Sequence, residues 1–322
     1  MSSNNSIIII NGEPQSIFLE LFLKSLKKLK KMSKPIILIC SYDLINKHSK
    51  KFNYKFKLNF VNKDYSNIQK KKINLINIPY NKFSFSQKKI LSSSNPYIKK
   101  SFDIALKLIR LNKMNCILNG PISKKSFLKG RYRGITEYLA KRTGTKEPVM
   151  LIYNKLLSVS PLTTHIPLSK VSNEIKKKNI ISKIKQINDF YKKVLKTEAK
   201  IAVTGLNPHC ESIDVFNEDE KIIKPAIKTL NKSNFKVSGP FAADTIFLKN
   251  NRKQYNVIIG MYHDQVLTPI KTLFEYDAIN ITLGLPFLRI SPDHGPNEKM
   301  MGKNKSNSLS LVSALTFLDF KK

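Results

Sequence analysis

A chain of 322 residues with 41% hydrophobic and 25% charged side chains has material for one large or two medium cores, which excludes a disordered tail or a fibrous repeat. No apolar run reaches the ~18 residues of a membrane span, and the opening MSSNNSIIIINGE lacks the basic flank and small-residue cleavage site of a signal peptide, so a cytoplasmic location and no membrane partner are expected. The formal charge of +35 is nearly all lysine: six of the 57 basic residues are arginines, and the lysines are spread among Asn and Ile as a codon bias would spread them, which argues against a specific nucleic-acid partner.

Ser6–Asn11 (SIIIIN) has the length and content of a buried strand, and Gly12-Glu13-Pro14 turns the chain out of it. Ile17, Leu19, Leu21, Phe22, Leu26 and Leu29 then mark a helix, with Lys24, Lys27, Lys28 and Lys31 on its outer face. Pro35–Cys40 reads as a second strand and Tyr42–His48 as a short helix. His48 stands among lysines with no partner pattern and receives no role. Lys51–Gln87 is polar and weakly patterned, as edge strands and loops are. Asn95–Asn112 is an amphipathic helix, and Cys116–Leu118 a strand ending in Asn119-Gly120-Pro121-Ile122-Ser123-Lys124. Gly134–Ala140 opens another helix. Val149–Tyr153 and Leu156–Ser160 form a strand pair leading to Thr163-Thr164-His165.

Lysines dominate a helix from Asn173 to Lys196. Lys200–Gly205 is a strand that ends in Leu206-Asn207-Pro208-His209. A helix at Glu218–Asn231 precedes Gly239-Pro240-Phe241-Ala242-Ala243-Asp244-Thr245. The apolar run Val257–Met261 delivers the polar cluster Tyr262-His263-Asp264-Gln265. Lys271, a second apolar run at Ile279–Leu283, Arg289 and Asp293-His294-Gly295 follow, and Ser308–Phe317 closes the chain as an apolar helix. Strands alternating with helices over the full length predict an α/β protein with a largely parallel sheet core. Repeats and low-complexity linkers are absent, so any domain boundary lies inside the fold, with the chain crossing it more than once.

His165, His209 and His263 share a local grammar: each follows an apolar strand, where open α/β sheets place ligand-binding groups. One such histidine reads as a hydrogen-bonded loop residue. Three in the same setting match a catalytic divalent metal site with open positions. Cys40, Cys116 and Cys210 are far apart and follow no CxxC spacing, so neither a disulfide framework nor a zinc ribbon is indicated. GxGxxG does not follow the first strand and GxxxxGK[ST] is absent, which removes the common nucleotide-binding loops.

The segments GPISKKS, PLTTHIPL, TGLNPHCES, GPFAADTIF, MYHDQ, NITLGLPFLR and DHG stand in one order between Asn119 and Lys305. Together they resemble the 4-hydroxythreonine-4-phosphate dehydrogenase family of vitamin B6 synthesis. The resemblance implies two α/β/α domains of the isocitrate/isopropylmalate dehydrogenase type with an active-site cleft between them. The first domain is expected over residues 1–125 plus about 295–322, and the second, with the metal site and dimer interface, over 126–294. It implies a homodimer, NAD and one divalent metal (Zn, Mg or Co), with a metal ligand coming from the neighbouring subunit.

Carried over by motif, the metal ligands are His165, His209 and His263, and the contacts to a small phosphorylated amino-acid substrate are Thr136, Lys271, Asn280 and Arg289. Lys271 and His209 are the implied catalytic residues; Lys271 would serve as an acid/base group, since a crowded cationic site can lower a lysine pKa. DHGPNEKMMGKNKSN is similar to the loop that binds the dinucleotide's adenosine end, which places His294 and Gly295 there, and Asp244 joins the expected cofactor contacts. The implied reaction is oxidation of 4-phosphooxy-L-threonine to the 3-oxo acid, followed by decarboxylation to 3-amino-2-oxopropyl phosphate, in pyridoxine 5'-phosphate synthesis. A metal on the alcohol oxygen lowers its pKa and stabilises the charge that develops.

Three positions depart from the family pattern. Ile135 replaces a histidine, GEPQSIFLE replaces a glycine-rich GDPxGIGPE, and His294-Gly295-Pro296-Asn297 replaces HGTA. Ile135 motivates a second reading, a dehydrogenase of another phosphorylated hydroxy acid such as threonate or erythronate phosphate. The altered loops motivate a third, a member that keeps the fold without catalysis. A non-catalytic, basic polyanion-binding protein is the reading from a different class, and the scarcity of arginine counts against it.

Overall fold

The computed structural model describes residues 6–29, 31–86, 89–111, 114–132, 134–211 and 216–320. Gln87, Asn112 and Ser212, each inside a segment singled out above, lie outside them. The strands among the described residues are, in chain order, β1 (Ile7–Ile10), β2 (Ile36–Cys40), β3 (Leu58–Phe60), β4 (Ile73–Asn77), β5 (Cys116–Asn119), β6 (Val149–Tyr153), β7 (Ser158–Pro161), β8 (Ile201–Thr204), β9 (Val237–Phe241), β10 (Val257–Gly260), β11 (Ile279–Leu283) and β12 (Leu288–Pro292). The chain divides into two compact units, residues 1–146 with 285–322 and residues 147–284.

In the first unit the strands neighbour one another in the order β3-β4-β2-β1-β5-β12, and every pair is parallel. Parallel neighbours need crossovers, which helices Phe18–Leu29, Tyr42–Phe52 and Asn95–Arg110 supply. A strand covered on both faces is apolar at every position rather than at alternate ones. All four isoleucines of β1 and all five residues of β2 are buried accordingly. Helix Phe18–Leu29 buries Phe18, Leu19, Leu21 and Phe22 and turns Lys27 and Lys28 to solvent. The closing helix Leu309–Phe320 packs on it.

The first division falls later along the chain than the expected 125/126 and the second earlier than the expected 294/295, for two local reasons. Helix Ile135–Thr143 is tied to helix Asn95–Arg110 by Arg142 on Asp103 at 2.7 Å and by Tyr138 edge-on to Phe102 at 5.7 Å. Residues 126–146 therefore belong with the first unit. Strand β12 pairs with β5 in the register Leu288–Cys116, Arg289–Ile117 and Ile290–Leu118, which carries residues 285–294 back there too.

In the second unit the order is β11-β6-β7-β10-β8-β9. Strand β6 runs antiparallel to both β11 and β7, whereas β7, β10, β8 and β9 are parallel neighbours. Its core gathers Ile152, Val159, Ala202, Ile258, Val266 and Ile270 beneath helix His263–Phe274. The adjacency of β7, β10 and β8 decides the site, because it puts three strand exits on one edge. No described helix is long and apolar enough to cross a membrane.

Candidate active site

His165, His209 and His263 stand just beyond the carboxyl ends of β7, β8 and β10. Two of them are held in the left-handed backbone region, His165 at φ 48° and His209 at φ 55°, with Cys210 following at 63°. Non-glycine residues adopt that region rarely, and such strain collects at functional sites. The rings of His165 and His263 lie 5.9 Å apart, centroid to centroid. Nδ1 of His263 is 2.6 Å from Oδ1 of Asp264. A proton on Nδ1 in that pair leaves the Nε2 lone pair pointing away from Asp264, the orientation in which a histidine ligates metal.

The strand exits are pinned by residues that the histidine pattern alone does not reveal. Gln265 donates through Nε2 to the Gly205 carbonyl at 2.8 Å, and its Oε1 accepts from Thr204 Oγ1 at 2.8 Å and from the Met261 amide at 2.7 Å. One side chain thus staples the ends of β8 and β10. Thr163 Oγ1 donates to the Met261 carbonyl at 2.8 Å and ties β7 to the same point. The loop that delivers His209 is held by buried Asp219, which accepts from the amides of Leu206 at 2.8 Å and Asn207 at 3.1 Å and from Asn207 Nδ2 at 2.9 Å. A Cβ on Gly205 would come within 2.6 Å of Asp219 Oδ1, so the turn requires glycine. The sequence signals were the Gln after YHD, the Thr two residues before His165 and the Asp of NEDE after the NPH loop.

One chain does not assemble the expected triad. Among the described residues no group of three or more His, Cys, Asp and Glu side chains could hold a metal. His165 and His263 neighbour each other, while His209 is exposed on its own loop. Two imidazoles, one backed by a carboxylate, are nitrogen donors that suit zinc or cobalt and leave positions open. They fit a divalent cation, as an incomplete set.

Of the other expected residues in this unit, Lys271 lies in the last turn of helix His263–Phe274 and Asn280 is the second residue of β11, opposite Ile152. Asn280 Oδ1 is buried without a hydrogen-bond partner. Asp244 lies in the first turn of the short helix Ala243–Ile246. Burial first, and the charges of Asp219 and Asp244 after it, raise the Cys210 thiol against the Gly205 hydrogen bond and the Lys224 charge.

In the first unit Arg289 and Asn119 share one face of the sheet. Arg289 pairs with Ile117, and Asn119 lies two residues further along the same strand. Arg289 Nε donates to Asn119 Oδ1 at 2.7 Å, with the side chain only 1% exposed. Burial lowers its pKa to about 10 and the Glu137 carboxylate opposes that fall, so the guanidinium is charged at neutral pH. Thr136 is the second residue of helix Ile135–Thr143, whose N-cap is Gly134. First-turn amides without a side-chain cap present positive dipole to an anion. His294 Nδ1 is 2.9 Å from the Gly295 carbonyl, and the space around Gly295 is open. Gly12, at φ 75°, and Gly120 let the exits of β1 and β5 cross: a Cβ would lie 2.5 Å from the Pro121 carbonyl at the first and 2.2 Å from the Asn11 carbonyl at the second. The two glycines of GEP and NGP are therefore indispensable.

The model of the family "Pyridoxal phosphate biosynthetic protein PdxA" matches residues 31–318. The chain is 36% identical over 316 residues to the 4-hydroxythreonine-4-phosphate dehydrogenase of Sulfurihydrogenibium sp. strain YO3AOP1, which spans 96% of each chain. It is 34% identical over 219 residues to the D-threonate 4-phosphate dehydrogenase of Pectobacterium atrosepticum, 66% of each chain. The crystal structure of 4-hydroxythreonine-4-phosphate dehydrogenase from Klebsiella pneumoniae superposes with a TM-score of 0.83 at 27% identity, covering 98% of this chain and 97% of that one. With the motifs, the mixed α/β fold and nearly the whole length in agreement, the chain belongs to the PdxA family of pyridoxal phosphate biosynthetic proteins.

Proposed function

We propose that this protein is a cytoplasmic, homodimeric, metal-requiring and NAD-linked dehydrogenase that oxidises 4-phosphooxy-L-threonine to its 3-oxo acid, which decarboxylates to 3-amino-2-oxopropyl phosphate. The observation that carries the reading is the placement of His165, His209 and His263 at the exits of three adjacent parallel strands. His165 and His263 of one subunit would hold the cation, and His209 of a second copy would complete the set. Exposed Leu168 and Phe216 flank the His165 and His209 loops in sequence, as residues covered by a second subunit would.

When bound, the cation supplies Lewis acidity and NAD supplies a hydride acceptor. The chain's own part is to bind, orient and move a proton. Arg289, charged and held by Asn119, grips a substrate anion, and the first turn at Thr136 offers amides to another. Asn280 Oδ1 is an acceptor for a substrate ammonium or hydroxyl group. Lys271 Nζ takes and returns the proton, and His294, Gly295 and Asp244 contact the dinucleotide.

NADH formation followed by absorbance, with 4-phosphooxy-L-threonine, NAD and divalent metal, tests the reading. Wild type is expected to turn over only with metal, and His209→Ala and His263→Ala to be inactive alone. Mixing the two variants should restore activity, because a heterodimer rebuilds one intact site from two damaged subunits. Inactivity of wild type with metal present would sink the proposal, and no rescue on mixing would remove the shared site. The second reading, a threonate or erythronate 4-phosphate dehydrogenase, rests on Ile135 beside Thr136 and predicts the higher kcat/KM on the substrate that lacks the ammonium group.

A further inference from the structure

Ile17, Glu20 and Lys24 are spaced three and four residues apart, which sets them on one face of the turn that opens helix Phe18–Leu29. The Ile17 carbonyl accepts from the Leu21 amide at 3.0 Å, so the helical turn begins with it. That face meets one irregular segment, residues 296–306, at several points. The Ile17 amide donates to the Pro296 carbonyl at 3.0 Å. Glu20 Oε2 accepts from the Gly302 amide at 2.9 Å. Lys24 Nζ donates to the carbonyls of Asn304 at 3.3 Å and Ser306 at 3.1 Å. Tyr54, just past helix Tyr42–Phe52, adds its hydroxyl on Asn304 Oδ1 at 3.3 Å.

Segment 296–306 has little regular structure of its own. Its one element is the short turn Glu298–Met300, and Asn297, Gly302 and Asn304 sit in the left-handed region at φ 48°, 81° and 52°. Segments with few internal backbone bonds open at low free-energy cost, so this one depends on groups outside itself. Glu20 is fully buried in the first turn of its helix, where the dipole favours a carboxylate. A charged acceptor also makes the stronger kind of hydrogen bond to an amide. The contact requires glycine at 302: beyond its positive φ, a Cβ there would lie 3.0 Å from the Phe85 ring and 3.3 Å from Lys51 Cε. Glu20 is the last residue of GEPQSIFLE, so a stretch that departs from the family pattern still ends on the group that holds the segment.

We propose that Glu20 and Lys24 are positioning residues for the dinucleotide: they hold segment 296–306, and with it the adjoining His294 and Gly295, in the binding shape before the dinucleotide arrives. The role rests on the proposed function for the identity of the group received, NAD. A segment ordered in advance loses no further freedom on binding. One released from its helix binds only from the fraction in the competent shape, and the apparent affinity falls by that fraction. Glu20 and Lys24 act through the segment rather than on the reacting atoms. Their loss should therefore appear in the KM for NAD and not in kcat.

The test compares wild type with Glu20→Ala, Glu20→Gln and Lys24→Met, the last a change at a half-buried position. Hydrogen–deuterium exchange without any ligand should be faster across residues 296–306 in Glu20→Ala and Lys24→Met than in wild type. The KM for NAD should rise about tenfold in Glu20→Ala and by a smaller factor in Lys24→Met, with kcat unchanged at saturating NAD. Glu20→Gln keeps an acceptor for the Gly302 amide and should recover most of the loss. A general loss of stability would not divide KM from kcat in this way. Unchanged exchange, or an unchanged KM for NAD in both Glu20→Ala and Lys24→Met, would overturn this role and leave the proposed function standing. Wild type that neither binds NAD nor turns over would overturn the proposed function, and this role with it. Should Glu20→Ala fail to fold, Lys24→Met decides alone.

Discussion

The strand exits of the two units carry charge in opposite ways. In the first unit Arg289 and Glu13 are buried, and Arg289 is matched from within its own unit by Asn119 and Glu137. In the second, His165 and His209 are exposed on strained loops, and one chain does not group the three histidines into a metal site. A buried charge must be balanced where it stands, so the first unit's polar residues are also structural. Imidazoles that keep contact with water need no such internal balance, so the second unit's histidines can serve function without carrying the fold. Activity and stability should therefore separate by unit.

Three further substitutions sharpen that contrast, beginning with the largest effect. Arg289→Met should cost about 3 kcal/mol of stability, read as a lower urea midpoint, because Glu137 loses its counter-charge and Asn119 its donor. It should abolish turnover too, whereas His209→Ala should abolish turnover and leave the midpoint unchanged. A shared loss of stability in both variants would break the comparison.

Lys183 comes next. It is buried on helix Lys177–Phe190, and burial lowers its pKa to about 8 from 10.5. The unfolded chain holds that proton more tightly, so stability rises with pH between about 8 and 10.5 and the full penalty applies below 8. Lys183→Met should raise stability at pH 7 by about 1–3 kcal/mol, and the gain should fade as pH climbs through that window.

The smallest effect belongs to His48, packed among Phe52, Phe83 and Phe85 with Nδ1 on the Leu44 carbonyl at 2.9 Å. Burial lowers its pKa to about 4 from 6.5, so its contribution is complete above 6.5 and is lost as pH falls toward 4. His48→Leu should flatten the acid limb of the stability curve between those values, with little change at pH 7.5.

The strands that position the site were legible because burial on both faces writes them as unbroken apolar runs: IIII for β1, IILIC for β2, VIIG for β10. The histidines beyond them were legible because each breaks such a run abruptly. Direction was not: VMLIY of β6 pairs antiparallel on both sides, yet its side chains look like those of a parallel strand. Strands β9 and β12 were unmarked, since VSGPF and LRISP carry Gly, Pro and Arg that read as loop. Lys183 was indistinguishable from the solvated lysines around it, and Glu13 sat in a Gly-Glu-Pro turn that sequence alone places at the surface. Burial of a polar residue depends on what the rest of the chain stacks over it, and no local pattern records that.

The register of β12 against β5 has a consequence for how the protein is made. The first unit receives its last strand only from Leu288 onward and its packing partner for helix Phe18–Leu29 only from Leu309–Phe320. A nascent chain can finish the second unit, residues 147–284, as soon as those residues clear the ribosome. Throughout that interval β5 waits with an unpaired backbone edge, the feature that invites association with other chains. Synthesis thus closes the younger unit before the older one, and chaperone demand should peak while the final forty or so residues are still being added.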